Sequence, residues 1–285
     1  MNTEENNSVP PQDKQAKGYY ESDDAFRYYC ILYNQDYTGA GFFPEEKEVT
    51  CFDKPDTKLL IGSGCEIYEA VMNRDKRMVD IVLNNFPEGK KLRILELGSG
   101  RGGLTRFMAK ELIKRDMLDK IVAGNIAPRE NELNMKLAME QGIPAEKFEV
   151  IELNFDNMDG LIEPDSYDFV FSNDAFNHCS NYVKLMKDIH SFLKKDGIVA
   201  FSDMMESEGA NPEEMVDLYK RLRNNKMPNA TIYNNAMTEA GMSKIDFHTE
   251  THAMMKHYGA VKYAACETKR EELLGPRGVS QEFYD

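Results

Sequence analysis

An α/β fold with a mostly parallel, twisted sheet and helices on both faces is predicted by three features of the sequence. Beyond residue 90, short apolar runs alternate with stretches of helical length and periodicity. The first run stops at a glycine-rich bend, GSGRGG at 98–103, which lets backbone approach a ligand closely. Polar and aromatic residues then cluster at the C-terminal ends of successive runs, the edge where open α/β sheets bind ligands.

The elements follow in order. Residues 1–18 are polar, contain Pro10-Pro11 and offer nothing to bury, so a disordered tail is expected there. Residues 19–90 read as a helical N-terminal lid and acceptor segment. In it Phe26, Tyr29, Cys30 and Tyr33 share a helical spacing ended by a turn at 39–41, and Val71, Met78, Val79 and Val82 mark a second helix over 67–84. Five strands are read at 93–97 (RILEL), 120–125 (KIVAGN), 148–153 (FEVIEL), 167–172 (YDFVFS) and 198–202. Helices over 104–115, 129–141 and 182–193 lie between them. Such alternation means βαβ units with right-handed crossovers. The binding domain is placed at 91–250, with a helical insert at about 204–235 (helices over 212–224 and 231–240) and a strand at 244–249. Residues 251–285 form a C-terminal helical extension.

The 285 residues carry 35 basic and 49 acidic side chains, net −14. That charge repels nucleic acid and anionic membranes and suits high solubility. Cys30, Cys51, Cys65, Cys179 and Cys266 are scattered without a C-x-x-C pair, so neither a disulfide framework nor a metal site is expected. No apolar run reaches the ~18 residues of a membrane span, and the polar N-terminus lacks the order of a signal peptide. The expectation is a cytoplasmic monomer or homodimer acting on a small molecule.

The glycine bend is preceded by Glu96, one residue before the strand ends. The bend formally satisfies G-x-G-x-x-G, so a dinucleotide site and a plain tight turn stand beside other ligands. An acid there repels a pyrophosphate but attracts an amino acid's ammonium group. The whole run, E-L-G-S-G-R-G-G, resembles motif I of class I methyltransferases, whose Rossmann-like fold binds S-adenosylmethionine (AdoMet). That resemblance implies AdoMet contacts from Glu96, Gly98, Ser99, Gly100 and Gly102. Asn125 holds the ribose-binding position where the family usually has an acid, and Ile126 and Asn131 belong to the same segment. Asn154 and Phe155 follow the third strand toward the adenine, Asn173 and Asp174 follow the fourth, and Tyr37, Thr38 and Gly39 are expected at the methionine end.

NIAPREN at 125–131, SNDAFNH at 172–178 and SDMMESEG at 202–209 resemble segments of sarcosine/dimethylglycine N-methyltransferases, which make glycine betaine. The D-A-x-x-H pattern is shared with phosphoethanolamine N-methyltransferases, and the resemblance runs from about residue 19 to 262. It implies methylation of sarcosine and N,N-dimethylglycine, with a phosphoethanolamine-type enzyme or a non-catalytic AdoMet-binding regulator as alternatives. In the phosphoethanolamine enzymes the matching histidine pairs with a tyrosine, which implies a catalytic pair of His178 and Tyr20. His257-Tyr258 resembles a pair near the acceptor pocket. In sheets of this class two strands follow the fifth, whereas only 244–249 is found here; an open edge exposes backbone donors.

Residue chemistry points the same way. An amine acceptor must lose a proton before it can attack a methyl group, and His178 suits that task by its ordinary titration range. Methylated ammonium groups are held by aromatic faces, available from Tyr19, Tyr20, Tyr28, Tyr29, Tyr33 and Tyr37. A carboxylate needs a cation; Arg27, Arg129, Lys256 and Lys262 are available, and the sequence does not choose among them. Met204-Met205 and Met254-Met255 read as packing.

Overall fold

Apolar alternation and glycine punctuation produce the sheet that the sequence predicts. The computed structural model describes residues 11–33, 36–38, 40–42, 65–224 and 226–285. Strands β1 (Leu92–Leu97), β2 (Leu118–Asn125), β3 (Phe148–Glu152), β4 (Tyr167–Asn173) and β5 (Leu193–Ser202) form one sheet in the order β3-β2-β1-β4-β5. Every neighbouring pair is parallel. The chain leaves β1 toward one side and returns for β4 on the other. The crevice between the C-terminal ends of β1 and β4 is therefore the topological switch point, where such sheets take ligands.

The period of two along each strand divides the core. Leu95 and Leu97 of β1 and Val170 of β4 face α6 (Tyr182–Phe192) and α8 (Ala230–Glu239), meeting Leu185, Ile189 and Tyr233. Ile94, Ile121, Phe169 and Phe171 face α3 (Cys65–Asn85), α4 (Gly103–Lys114) and α5 (Pro128–Glu140), packing on Val79, Val82, Met108 and Leu112. Burying each such side chain contributes ~1.5–3 kcal/mol, so a one-residue register slip would turn both faces the wrong way.

A third apolar cluster caps the C-terminal edge. It joins α1 (Gln12–Glu21), α2 (Asp23–Leu32) and the start of α3 to α9 (Thr251–Tyr263), a π-helical turn at Ala264–Thr268 and two short helices, α10 (Arg270–Leu273) and α11 (Gln281–Tyr284). Helix α7 (Pro212–Leu222) lies on the surface beside this cap.

Two expectations need correction. The tail expected to be disordered to residue 18 is helical from Gln12, because Gln12 and Ala16, four residues apart, are both buried against the body. The strand expected at 244–249 is absent; among the described residues none follows β5. Ile245 and Phe247 alternate with polar neighbours but are 36% and 48% exposed, so no buried face selects an extended partner for β5. Within the insert, residues 204–211 are neither helix nor strand. No helix among the described residues is long and apolar enough to cross a membrane.

Candidate active site

The bend after β1 closes on its neighbours so tightly that only glycine fits. Gly98 has φ +82, and a Cβ there would lie 2.3 Å from Ala175 Cβ and 3.1 Å from Phe155 Cζ. At Gly100, φ +50, a Cβ would lie 2.5 Å from Thr38 Oγ1. The loop amides of Gly98 and Ser99 donate to the Gly124 carbonyl of β2 (2.8 and 3.1 Å). Gly102 caps the start of α4, and the Ser99 hydroxyl oxygen is buried with no hydrogen-bond partner.

Above this loop opens a cleft whose empty space, open solvent included, is about 690 Å³. From the predicted residues the fold brings Tyr20, Thr38, Gly98, Gly100, Asn125, Ile126, Asn154, Phe155, Asn173, Asp174 and His178 to its wall. They come from the ends of four strands and from the cap. Asn131 stands behind, its Nδ2 donating to the Asn125 carbonyl (3.0 Å). Asn154 donates to Asp13 Oδ2 (3.0 Å), and Phe155 meets Phe176 edge-on at 5.6 Å. Asp174, at φ 51, accepts from the Ala40 amide (2.6 Å) and from Asn173 Nδ2 (3.1 Å), while burial pushes its carboxyl upward.

Glu96 does not line the cleft. It is buried on the α4 side of β1, accepts a hydrogen bond from Thr105, and burial raises its carboxyl to about 7. Tyr37 is likewise behind the wall, beneath the Arg74 guanidinium at 5.6 Å, with its hydroxyl on Met72 Sδ (3.5 Å). Gly39 lies outside the described residues.

Tyr20 Oη and His178 Nε2 are 3.5 Å apart, their rings at 85°. Burial lowers His178 to about 4 and raises the Tyr20 phenol, so both are neutral at pH 7.

The remaining acceptor candidates do not reach the cleft wall. The Gly41 amide donates to His257 Nδ1 (3.1 Å), so His257 Nε2 carries the proton and donates to Tyr33 Oη (3.1 Å). That buried pair, with His257 lowered to about 3 by burial, pins α9 to α2. Tyr258 donates to Met204 Sδ (3.1 Å). Arg27 donates to the Gly278 carbonyl (3.0 Å), and Arg129 pairs with Asp23 (2.7 Å). Tyr19 and Tyr28 join Phe283 around the Arg221 guanidinium, which sits 5.6–5.9 Å from all three rings and donates to Tyr19 Oη (2.9 Å).

Sequence reasoning missed Asp13 and Ala16, which lie in the supposed tail, and Glu130, inside NIAPREN. Glu130 is paired with Arg101 of the glycine loop (2.8 Å), and Arg101 also donates to the Phe26 carbonyl (2.8 Å). Both charges are almost fully buried. The arginine thereby ties the loop to α2 and α5.

A family profile for a methyltransferase domain matches residues 71–246. The chain belongs to that methyltransferase family. The methyltransferase is 28% identical over 273 residues to the sarcosine/dimethylglycine N-methyltransferase of Aphanothece halophytica, covering 95% of this chain and 87% of that protein. This bears out the resemblance drawn from NIAPREN and SNDAFNH. A crystal structure assigned as a sarcosine dimethylglycine methyltransferase of Galdieria sulphuraria superposes with a TM-score of 0.73 at 24% identity, over 92% of this chain and 87% of that one. Phosphoethanolamine N-methyltransferase 2 of Haemonchus contortus, in complex with S-adenosyl-L-methionine, gives 0.69 at 16% identity over 98% and 54%. Both share the fold of this methyltransferase, which is the class I, Rossmann-like one expected.

Proposed function

We propose that this methyltransferase transfers a methyl group from AdoMet to the amines of sarcosine and N,N-dimethylglycine, the latter giving glycine betaine. The observation that carries the proposal is one cleft, at the β1/β4 switch point, walled by both the glycine loop and the Tyr20–His178 pair. The glycine loop fits AdoMet. Its backbone is bare where a Cβ would collide, and the orphaned Ser99 hydroxyl and the Asn125 amide offer polar partners there. When bound, AdoMet supplies an electrophilic methyl group on a sulfonium.

The chain's own residues then position an acceptor and free its lone pair. The desolvation that lowers His178 also disfavours the charged form of an acceptor ammonium. His178 Nε2 and Tyr20 Oη are the two atoms placed to take that proton onward. Asp174 offers a carboxylate to the positive charge that develops on nitrogen. Among the described residues no Arg or Lys lines the cleft, which favours a small zwitterion over a phosphorylated amine. The net charge of −14 supports an enzyme that works free of nucleic acid and anionic membranes, and we read it as a cytoplasmic monomer or homodimer.

The test is a labelled-methyl transfer assay against glycine, sarcosine, N,N-dimethylglycine and phosphoethanolamine. Turnover of the sarcosine and dimethylglycine arms is expected. Transfer to phosphoethanolamine alone, or no AdoMet binding by calorimetry, rejects the proposal.

A further inference from the structure

Helix α7 has no buried residue, yet Asn224, just beyond its end, is only 5% exposed. The chain delivers it inward through a left-handed turn at Arg223, φ 54 and ψ 37, a strained backbone for a residue with a side chain. Asn224 then bonds in two directions. Its Nδ2 donates to Oδ1 and the carbonyl of Asn177 (2.9 and 3.3 Å), in the turn that ends at His178. Its Oδ1 accepts from Gln12 Nε2 (2.5 Å), on the helix that carries Tyr20, and Gln12 also donates to the Arg223 carbonyl (3.1 Å). Asn177 is held from its other side by Asp203 Oδ1 (2.6 Å).

One side chain thus bridges the two elements that present Tyr20 and His178. Nδ1 of His178 is buried without a hydrogen-bond partner of its own, and Asn224 holds the turn that carries the ring through its bonds to Asn177. Contacts that fix a supporting turn also fix where its ring sits.

We propose that Asn224 is a positioning residue for methyl transfer, the hinge-pin that sets α1 and the His178 turn relative to each other so that Tyr20 Oη faces His178 Nε2. The inference rests on the role given above to that pair. A surface helix C-cap with no such role would need only its own backbone bonds. The burial of Asn224 and its hydrogen bonds to two separate elements exceed that need.

The experiment compares Asn224→Ala, Gln12→Ala and His178→Ala in the full chain. Asn224→Ala is expected to lower kcat at least tenfold while AdoMet affinity and the KM for AdoMet stay within threefold. Imidazole nitrogen resonances of His178, assigned by their loss in His178→Ala, are expected to move in the ligand-free Asn224→Ala protein. Gln12→Ala, which leaves the His178 turn's own bonds intact, should lower kcat three- to tenfold, and it decides the matter if Asn224→Ala does not fold. The inference is overturned if these variants keep kcat within twofold with the His178 resonances in place, or lose only melting temperature. A fully active His178→Ala would instead reject the proton role of His178, while the resonances would still decide the positioning by Asn224.

Discussion

His178 and Tyr20 face each other in a cleft dry enough to hold the imidazole neutral down to about pH 4. Replacing His178 by Ala removes one of the two atoms placed to take the acceptor's proton. General-base losses are typically ~10²–10⁴-fold, so kcat should fall in that range while calorimetry finds AdoMet affinity within a few-fold of the parent. Retained turnover would reject the role. At this scale the sequence was legible wherever a residue follows a strand. Asn125, Phe155, Asp174 and His178 could be named because strand ends fix where side chains go. It was not legible where the partner is remote: His257 takes its bonds from Gly41 and Tyr33, over two hundred residues away, and becomes a structural pin instead of an acceptor group.

The glycine loop is the element whose geometry can be tested with least ambiguity. Gly98→Ala puts a methyl 2.3 Å from the Ala175 side chain on a backbone at φ +82. The left-handed conformation alone costs an L-residue ~1–2 kcal/mol, and Ala175, on the cleft wall, must shift. AdoMet affinity should drop more than tenfold and the melting temperature should fall; binding unchanged by calorimetry would show that the donor does not sit against this loop. The loop and the five strands could be read because apolar period and glycine speak locally. Helix α1 could not, because its buried face is Gln12 and Ala16, one polar and one small, in a stretch otherwise indistinguishable from a solvated tail. The strand expected at 244–249 failed for the opposite reason: Ile245 and Phe247 alternate, but neither is buried. The family match at 71–246 omits α1, α2 and the C-terminal helices. Of those elements α1 supplies Asp13, Ala16 and Tyr20 to the cleft, so part of its wall comes from a stretch with a weak local signal.

Across the whole molecule, buried titratable groups of opposite sign oppose each other in the pH dependence of stability. His178 and His257, near 4 and 3 in the fold against an ordinary 6.5, refuse protons that the unfolded chain accepts. Their contribution is fully present above pH 6.5 and is lost as the pH falls toward those values. Glu96 behaves in reverse. Raised by burial to about 7 from an ordinary 4.5, it keeps a proton that the unfolded chain releases, so its contribution is complete below pH 4.5 and is lost as the pH rises through 7. The neutral isostere Glu96→Gln keeps an acceptor for Thr105 and deletes only the titration. Urea unfolding of variant and parent, run at half-unit steps between pH 4.5 and 7, isolates this one group, because every other titration is common to both. The variant should gain on the parent by about 1 kcal/mol per pH unit across that window. Parallel curves would mean that Glu96 ionises in the fold as it does in the unfolded chain, and that the first strand ends on a charged acid at every pH the enzyme meets.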